Sequence, residues 1–158
     1  MTLTILELAK QWSCDKVLIE GLQSNAFIRV HVDKIFIRSA ILTMPVLKSN
    51  GLKTTAGKAI YRHPRIGPHI KLHSALFDDN DPVANDRYDT FFHEIAHHIS
   101  YMAANERGHQ NAWAYSMQHF GYTPSRCYEA AKFNYKGYKN RAETREVDAI
   151  VNDFLGDF

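Results

Sequence analysis

The stretch Phe91-Phe92-His93-Glu94-Ile95-Ala96-His97-His98-Ile99-Ser100-Tyr101-Met102-Ala103 carries the strongest pattern in the chain. Phe91, Ile95, Ile99 and Met102 recur at helical spacing, and Phe92, Ala96 and Ala103 widen that stripe toward a core. Asn85 and Asp86 just before it, with Asp89 in the first turn, make a good helix start. Within this helix His93-Glu94-Ile95-Ala96-His97 has the HExxH spacing. Residues four apart share a helix face, so His93 and His97 can point ring nitrogens at one cation. Glu94 projects at a neighbouring angle, placed to take a proton from an attacking water rather than to bind the ion. The apolar stripe falls on other angles, so packing and metal binding do not compete. The acidic residues at the helix start also suit the macrodipole alone.

A catalytic zinc usually takes a third protein ligand and keeps one position open. His109 is the best candidate. It lies twelve residues past His97, after a helix break at residues 105–108, and is expected to open the next helix. That helix has Trp113, Met117 and Phe120 as its apolar side and ends at Gly121, shortly before Pro124. Glu106, Glu129, Glu143 and Glu146 are rival third ligands if the site is of the two-His-one-Glu kind. His98 sits about 100° around the helix from His97 and is expected to support the site or lie at the surface. His119 is expected on a helix surface. Tyr101, Tyr115 and Tyr122 are candidate donors to a tetrahedral oxyanion. Two helix histidines, a third ligand and an adjacent carboxylate point to zinc-dependent hydrolysis of peptide bonds, with Glu94 as general base and then proton donor to the leaving amine.

Outward from this segment the chain reads as helix, small sheet, then helices, an α+β class with the sheet packed against the helices. Residues 3–12 have the spacing of a short amphipathic helix. Residues 26–41 are ambiguous: Ile28, Val30 and Val32 alternate as in a strand, whereas Ile35, Phe36, Ser39, Ala40 and Ile41 suit a helix face. Short strands are predicted over residues 44–48, 57–61 and 69–73, with Pro64, Gly67 and Pro68 separating the last two. A polar loop covers residues 78–82, and a last helix is predicted over residues 143–155 from Val147, Ile150, Val151 and Phe154.

Composition agrees with one domain over residues 1–158. Hydrophobic residues make up 45% and charged residues 23%, ordinary for a soluble domain and unlike a disordered chain. Nineteen Lys and Arg against seventeen Asp and Glu leave +2, too balanced for nucleic-acid binding by bulk charge. No apolar run approaches the roughly 18 residues of a membrane span, and the first residues lack a signal-peptide pattern, so the expected location is cytoplasmic. Cys14 and Cys127 form no CxxC pair, which excludes a cysteine-based zinc ribbon. Nine histidines, five of them from His93 to His119, are the unusual feature.

Three blocks of residues carry a family likeness. Residues 50–59, Asn-Gly-Leu-Lys-Thr-Thr-Ala-Gly-Lys-Ala, are similar to a "TxAG" element ahead of an active-site helix. Ile70-Lys71-Leu72-His73 with Leu76 is similar to an "I-x-L-(N/S)-x-x-L" strand. Residues 92–97, followed by Gly108-His109-Gln110-Asn111-Ala112-Trp113 and Phe120-Gly121-Tyr122-Thr123-Pro124, resemble HExxH…GHGxxW with a trailing "GY-x-P". Over residues 45–127 the chain thus resembles the SprT-like family of zinc metalloproteases, which includes bacterial SprT proteins and the protease domain of eukaryotic Spartan. The resemblance implies a zincin-like domain, His93, His97 and His109 as ligands of one Zn2+, and Glu94 as catalytic acid/base. It also implies DNA-associated protein substrates such as DNA–protein crosslinks, with cleavage promoted by DNA. Gln110 replaces the glycine usual after the third histidine, and the C-terminal zinc ribbon of many relatives has no counterpart here.

Charge is segregated along the chain. Residues 77–94 hold six acids against Arg87, and residues 126–145 hold six bases against Glu129 and Glu143. Tyr128, Phe133, Tyr135 and Tyr138 lie among those bases, a mixture suited to single-stranded DNA, with Lys132, Lys136, Lys139 and Arg141 as candidate contacts. The plainer alternative is a solvated loop whose aromatics pack on the core. Two other functions are compatible with the motif. One is a regulator-cleaving metalloprotease of the ImmA/IrrE-like kind, with a downstream Glu such as Glu146 as ligand. The other is a non-catalytic, nucleic-acid-associated module whose zinc only holds the fold.

Overall fold

The computed structural model describes residues 2–31, 33–52 and 55–124. The chain begins with a two-residue strand, β1 (Leu3–Thr4), followed by helices α1 (Ile5–Gln11), α2 (Asp15–Ser24), α3 (Ala26–Arg29) and α4 (Lys34–Leu42). Strands β2 (Pro45–Ser49), β3 (Gly57–Ile60) and β4 (His69–His73) come next, then 3-10 turns at Ser74–Phe77 and Pro82–Asp86. The long helix α5 (Arg87–Ala104) and the shorter α6 (Asn111–His119) complete the described elements, an α+β arrangement.

The sheet has the order β1-β2-β4-β3. β2 and β4 are parallel, with Val46 opposite Ile70 and Lys48 opposite Leu72, whereas β1 and β3 run antiparallel to their neighbours. β3 is therefore an outer edge, and it is the strand packed along α5. Helices α3, α4 and α6 contact α5 on its other sides. Enclosure of this kind explains why every residue from Thr90 to Ser100 is buried, polar ones included. Phe91, Phe92, Ile95 and Ile99 join Ile5, Leu8, Leu18, Leu22, Ile41, Ile70 and Leu72 in the main core. Burying one such side chain is worth about 1.5–3 kcal/mol, so the stripe read from the sequence is the main anchor of α5. Close helix packing is also built in at Gly21 of α2, where a Cβ would collide with the Phe120 ring.

Several sequence expectations change. Residues 3–12 are not one helix: Leu3 and Thr4 pair with Val46 and Pro45, and the helix starts only at Ile5. Thr4 does both jobs, because its hydroxyl accepts from Glu7 N–H while Glu7 reaches back to Thr4 N–H, a capping box. The ambiguous residues 26–41 form no strand where described: 26–29 and 34–41 are helical, and residues 30, 31 and 33 form the turn between the two helices. Asn25 caps α3 by accepting from the Phe27 and Ile28 amides, and the apparent alternation is no burial pattern, since Ile28 is buried while Val30 is 81% exposed. The three predicted strands are present within one residue at either end. Leu76 is buried, in a 3-10 turn just beyond its strand. Met102 is only partly buried, at the rim of the core. The predicted helix at residues 143–155, Cys127 and the basic segment 126–145 lie outside the described residues. Among the described residues, no helix is long and apolar enough to cross a membrane.

Candidate metal centre

α5 presents His93 and His97 one turn apart, with ring centroids 5.0 Å from each other. His109 arrives from the loop between α5 and α6, its ring 5.0 Å from that of His93 and 4.7 Å from that of His97. One donor nitrogen from each of the three lies within 4.8 Å of the others, and the Nε2 atoms of His109 and His93 are 3.1 Å apart. Nitrogens about 2.0–2.1 Å from one tetrahedral cation are spaced roughly 3.3 Å apart, so the trio fits a single small divalent ion. His93 and His97 are buried and His109 half-buried, leaving one side of the cluster accessible.

The loop that delivers His109 is tied at both ends. Asn105 takes the left-handed conformation at φ 54° and ends α5, and the Glu106 amide bonds back to the Ser100 carbonyl. The Glu106 carboxylate then accepts from the Ala112 amide at 3.0 Å, capping the start of α6. This corrects Glu106 as a rival ligand: its carboxylate serves the next helix. Glu129, Glu143 and Glu146 lie outside the described residues. His109 does not open α6 but precedes its N-cap, Gln110, which leaves its ring aimed at α5 from a loop.

Trp113, on the first turn of α6, packs against all three imidazoles at centroid distances of 5.0, 5.6 and 4.4 Å. Its indole N–H donates to the His93 carbonyl at 3.3 Å, which locks α6 onto the metal-facing part of α5. The sequence reading gives Trp113 a core role and a place in the GHGxxW likeness, with no contact to the histidines. Its spacing of four from His109 was the available signal for such a contact.

Glu94 is buried beside the cluster, with Oε1 4.0 Å from His93 Nε2. Burial pushes its carboxyl up to about 8, and a hydrogen bond from the backbone of Ala59 on β3 acts the other way. β3 can come this close because Gly57 has no side chain: a Cβ there would sit 3.0 Å from Glu94 Cγ and from Thr90 Cγ2. His98 is neither a ligand nor a surface group. Buried, it holds β4 through a 2.9 Å bond between Nε2 and the His69 carbonyl, and burial lowers its pKa to about 4. His119 is half-buried and bonded to Ser24 at 2.6 Å. Of the three tyrosines, Tyr115 hydrogen-bonds the Ala26 amide and Tyr122 stacks on Phe92. Tyr101 continues the His93–His97 face of α5, one turn further on.

The arrangement combines three imidazoles able to hold one divalent ion, a half-buried third histidine and a buried carboxylate beside them. No curated protein and no solved structure matches the chain. A model of the SprT-like family matches residues 24–135, well over half of the sequence and inclusive of β2, β3, β4, α5, the His109 loop and α6. The chain belongs to the SprT-like family.

Proposed function

We propose that this chain is a zinc-dependent endopeptidase, a single zincin-like domain over residues 1–158 that acts on DNA-associated proteins, including proteins crosslinked to DNA. The observation that carries the reading is the convergence of three imidazoles from α5 and the following loop beside a buried carboxylate. His93, His97 and His109 would hold the ion. Zinc, when bound, supplies Lewis acidity toward a peptide carbonyl and toward water.

The remaining work falls to the protein's own groups. As carboxylate, Glu94 takes a proton from the attacking water; as acid, it returns that proton to the departing amine. Burial raises this carboxyl to about 8 in the metal-free chain, and a cation held by the neighbouring imidazoles would favour its ionised, base form. The outer edge of β3 runs past this carboxylate, so a peptide aligned along the edge would bring its backbone into reach. Trp113 closes one side of the site and holds His93 in place through its carbonyl. Family membership supports DNA-associated substrates. A single-stranded DNA contact is assigned to Lys132, Lys136, Lys139 and Arg141.

The test is digestion of a purified DNA-binding protein, with and without single-stranded DNA, comparing zinc-loaded chain, chelated chain and Glu94→Gln. Cleavage by the zinc-loaded chain alone, faster with DNA, is the expected result. Equal phenotypes of wild type and Glu94→Gln, with zinc retained in both, would instead establish a purely structural metal. Loss of zinc on Glu146→Ala but not on His109→Ala would favour the ImmA/IrrE-like ligand set.

A further inference from the structure

Beyond the imidazoles, one turn further along α5, lies a cluster that the hydrolytic chemistry does not use. Tyr101 lies four residues past His97 on the same face of α5, about 6 Å further along the axis. Tyr61, immediately after β3, stacks on it at a centroid distance of 4.4 Å and packs edge-on against His98 at 5.3 Å. The Tyr61 hydroxyl donates to the Arg107 carbonyl at 3.3 Å, which ties the end of β3 to the His109 loop. Arg107 places its guanidinium 5.5 Å from the Tyr101 ring centre, and the nearby Arg62 and Arg107 side chains together hold the Tyr101 hydroxyl below the usual phenol range. Two cations from different segments thus meet at one phenol beside the metal centre.

Among the described residues the cluster is short of acceptors. Each guanidinium carries about five N–H donors, and a single phenolic oxygen satisfies few of them. Among the described residues, neither Arg62 nor Arg107 has a carboxylate within 4.0 Å. Glu106, the neighbour of Arg107, is committed to the Ala112 amide. Arg62 and Arg107 are both exposed, so the donors face solvent. Two neighbouring guanidiniums offer positive charge and paired N–H donors on the scale of one carboxylate, which arginine binds through such paired N–H groups. Nucleic acid binding draws instead on several phosphate contacts spread along a surface.

We propose that Arg62, Tyr101 and Arg107 form a subsite that binds the side-chain carboxylate of an acidic residue in the substrate, within a few residues of the bond that is cut. The inference rests on the peptidase reading and gives it a sequence preference. Arg62 follows the β3 edge directly and Arg107 precedes His109 by two residues, so a peptide leaving the site along β3 would pass between them.

The test uses the full zinc-loaded chain carrying Glu94→Gln, so that binding is read without cleavage. Fluorescence anisotropy compares a labelled peptide of alternating Gly and Glu with its Gly-Gln counterpart, alongside a ten-residue oligothymidine. The expected result is a preference of roughly fivefold or more for the Glu peptide, the scale of one or two exposed charge contacts. The preference should disappear in R62Q/R107Q, persist in part in R62K/R107K, and survive the charge-matched control R29Q/K34Q. Zinc content equal to that of the parent confirms that each variant is folded. No preference, a preference unchanged in R62Q/R107Q, or one lost equally in R29Q/K34Q would overturn the proposal. Oligothymidine binding lost in R62Q/R107Q with the peptide preference intact would overturn it in favour of a nucleic-acid contact. Failure of the wild type to cut any protein would refute the peptidase reading while leaving this binding comparison intact.

Discussion

The candidate metal centre has two arms built on different principles. His93 and His97 sit on one face of a helix whose every residue from Thr90 to Ser100 is buried, so their spacing follows from backbone geometry and their rigidity from the core beneath. His109 stands on a loop and owes its position to a left-handed Asn105, a capping Glu106 and the Trp113 ring behind it. The helical arm is robust to changes around it. The loop arm depends on a few side chains that touch no ion. Between them lies Glu94, carried by the helix but set by the approach of β3.

That contrast can be broken most sharply at Glu94. Glu94→Gln should lower turnover about 10³-fold, in the range usual for loss of a general base, while one zinc per chain is retained. Turnover with a generic protein substrate and metal analysis read the two quantities separately. Next in size is Trp113→Ala, which removes a side chain packed against both arms. A buried Trp truncated to Ala costs about 3–5 kcal/mol, and the denaturation midpoint of the metal-free chain should fall accordingly. A loss under about 1 kcal/mol would mean that the arms are held independently.

Glu106→Ala isolates the loop arm. Loss of the α6 cap should cost about 1 kcal/mol, and zinc affinity should fall roughly tenfold, as for removal of an outer-shell support. Competition against a chromophoric chelator measures the affinity. An unchanged value would show that His109 needs no clasp.

The smallest effects are in pH, where two neighbours on the helical arm act in opposite directions. Burial raises the Glu94 carboxyl to about 8, so its contribution to stability of the metal-free chain is complete below about 4.5 and is lost as pH rises through 8. Burial lowers His98 to about 4, so its contribution is present above about 6.5 and is lost as pH falls toward 4. Thermal midpoints of the metal-free chain across this range should flatten on the alkaline side in Glu94→Gln and on the acid side in His98→Gln.

Elements with strong local signals were legible in the sequence. The β2, β3 and β4 segments alternate or are bounded by Gly and Pro, and the apolar stripe of α5 has an unbroken period. Residues 26–41 were not legible, because β-branched residues fit both strand and helix patterns and only the Asn25 cap and the burial of Ile28 decide between them. Residues 3 and 4 read as helix because their strand partners, Val46 and Pro45, lie some forty residues away. Glu106 illustrates the same limit at the site: a carboxylate near a metal motif is a ligand by composition and a helix cap by geometry.

Sequence by itself determined the helix, the facing pair His93 and His97 and the adjacent Glu94, because a 3.6-residue period places those groups with no information from elsewhere in the chain. Tertiary structure alone decided that His109 closes the trio, that Trp113 backs it, that His98 belongs to β4 and that Arg62 meets Arg107 at Tyr101. Each of these joins segments whose separation along the chain fixes no distance, and only burial of the core they share brings them together.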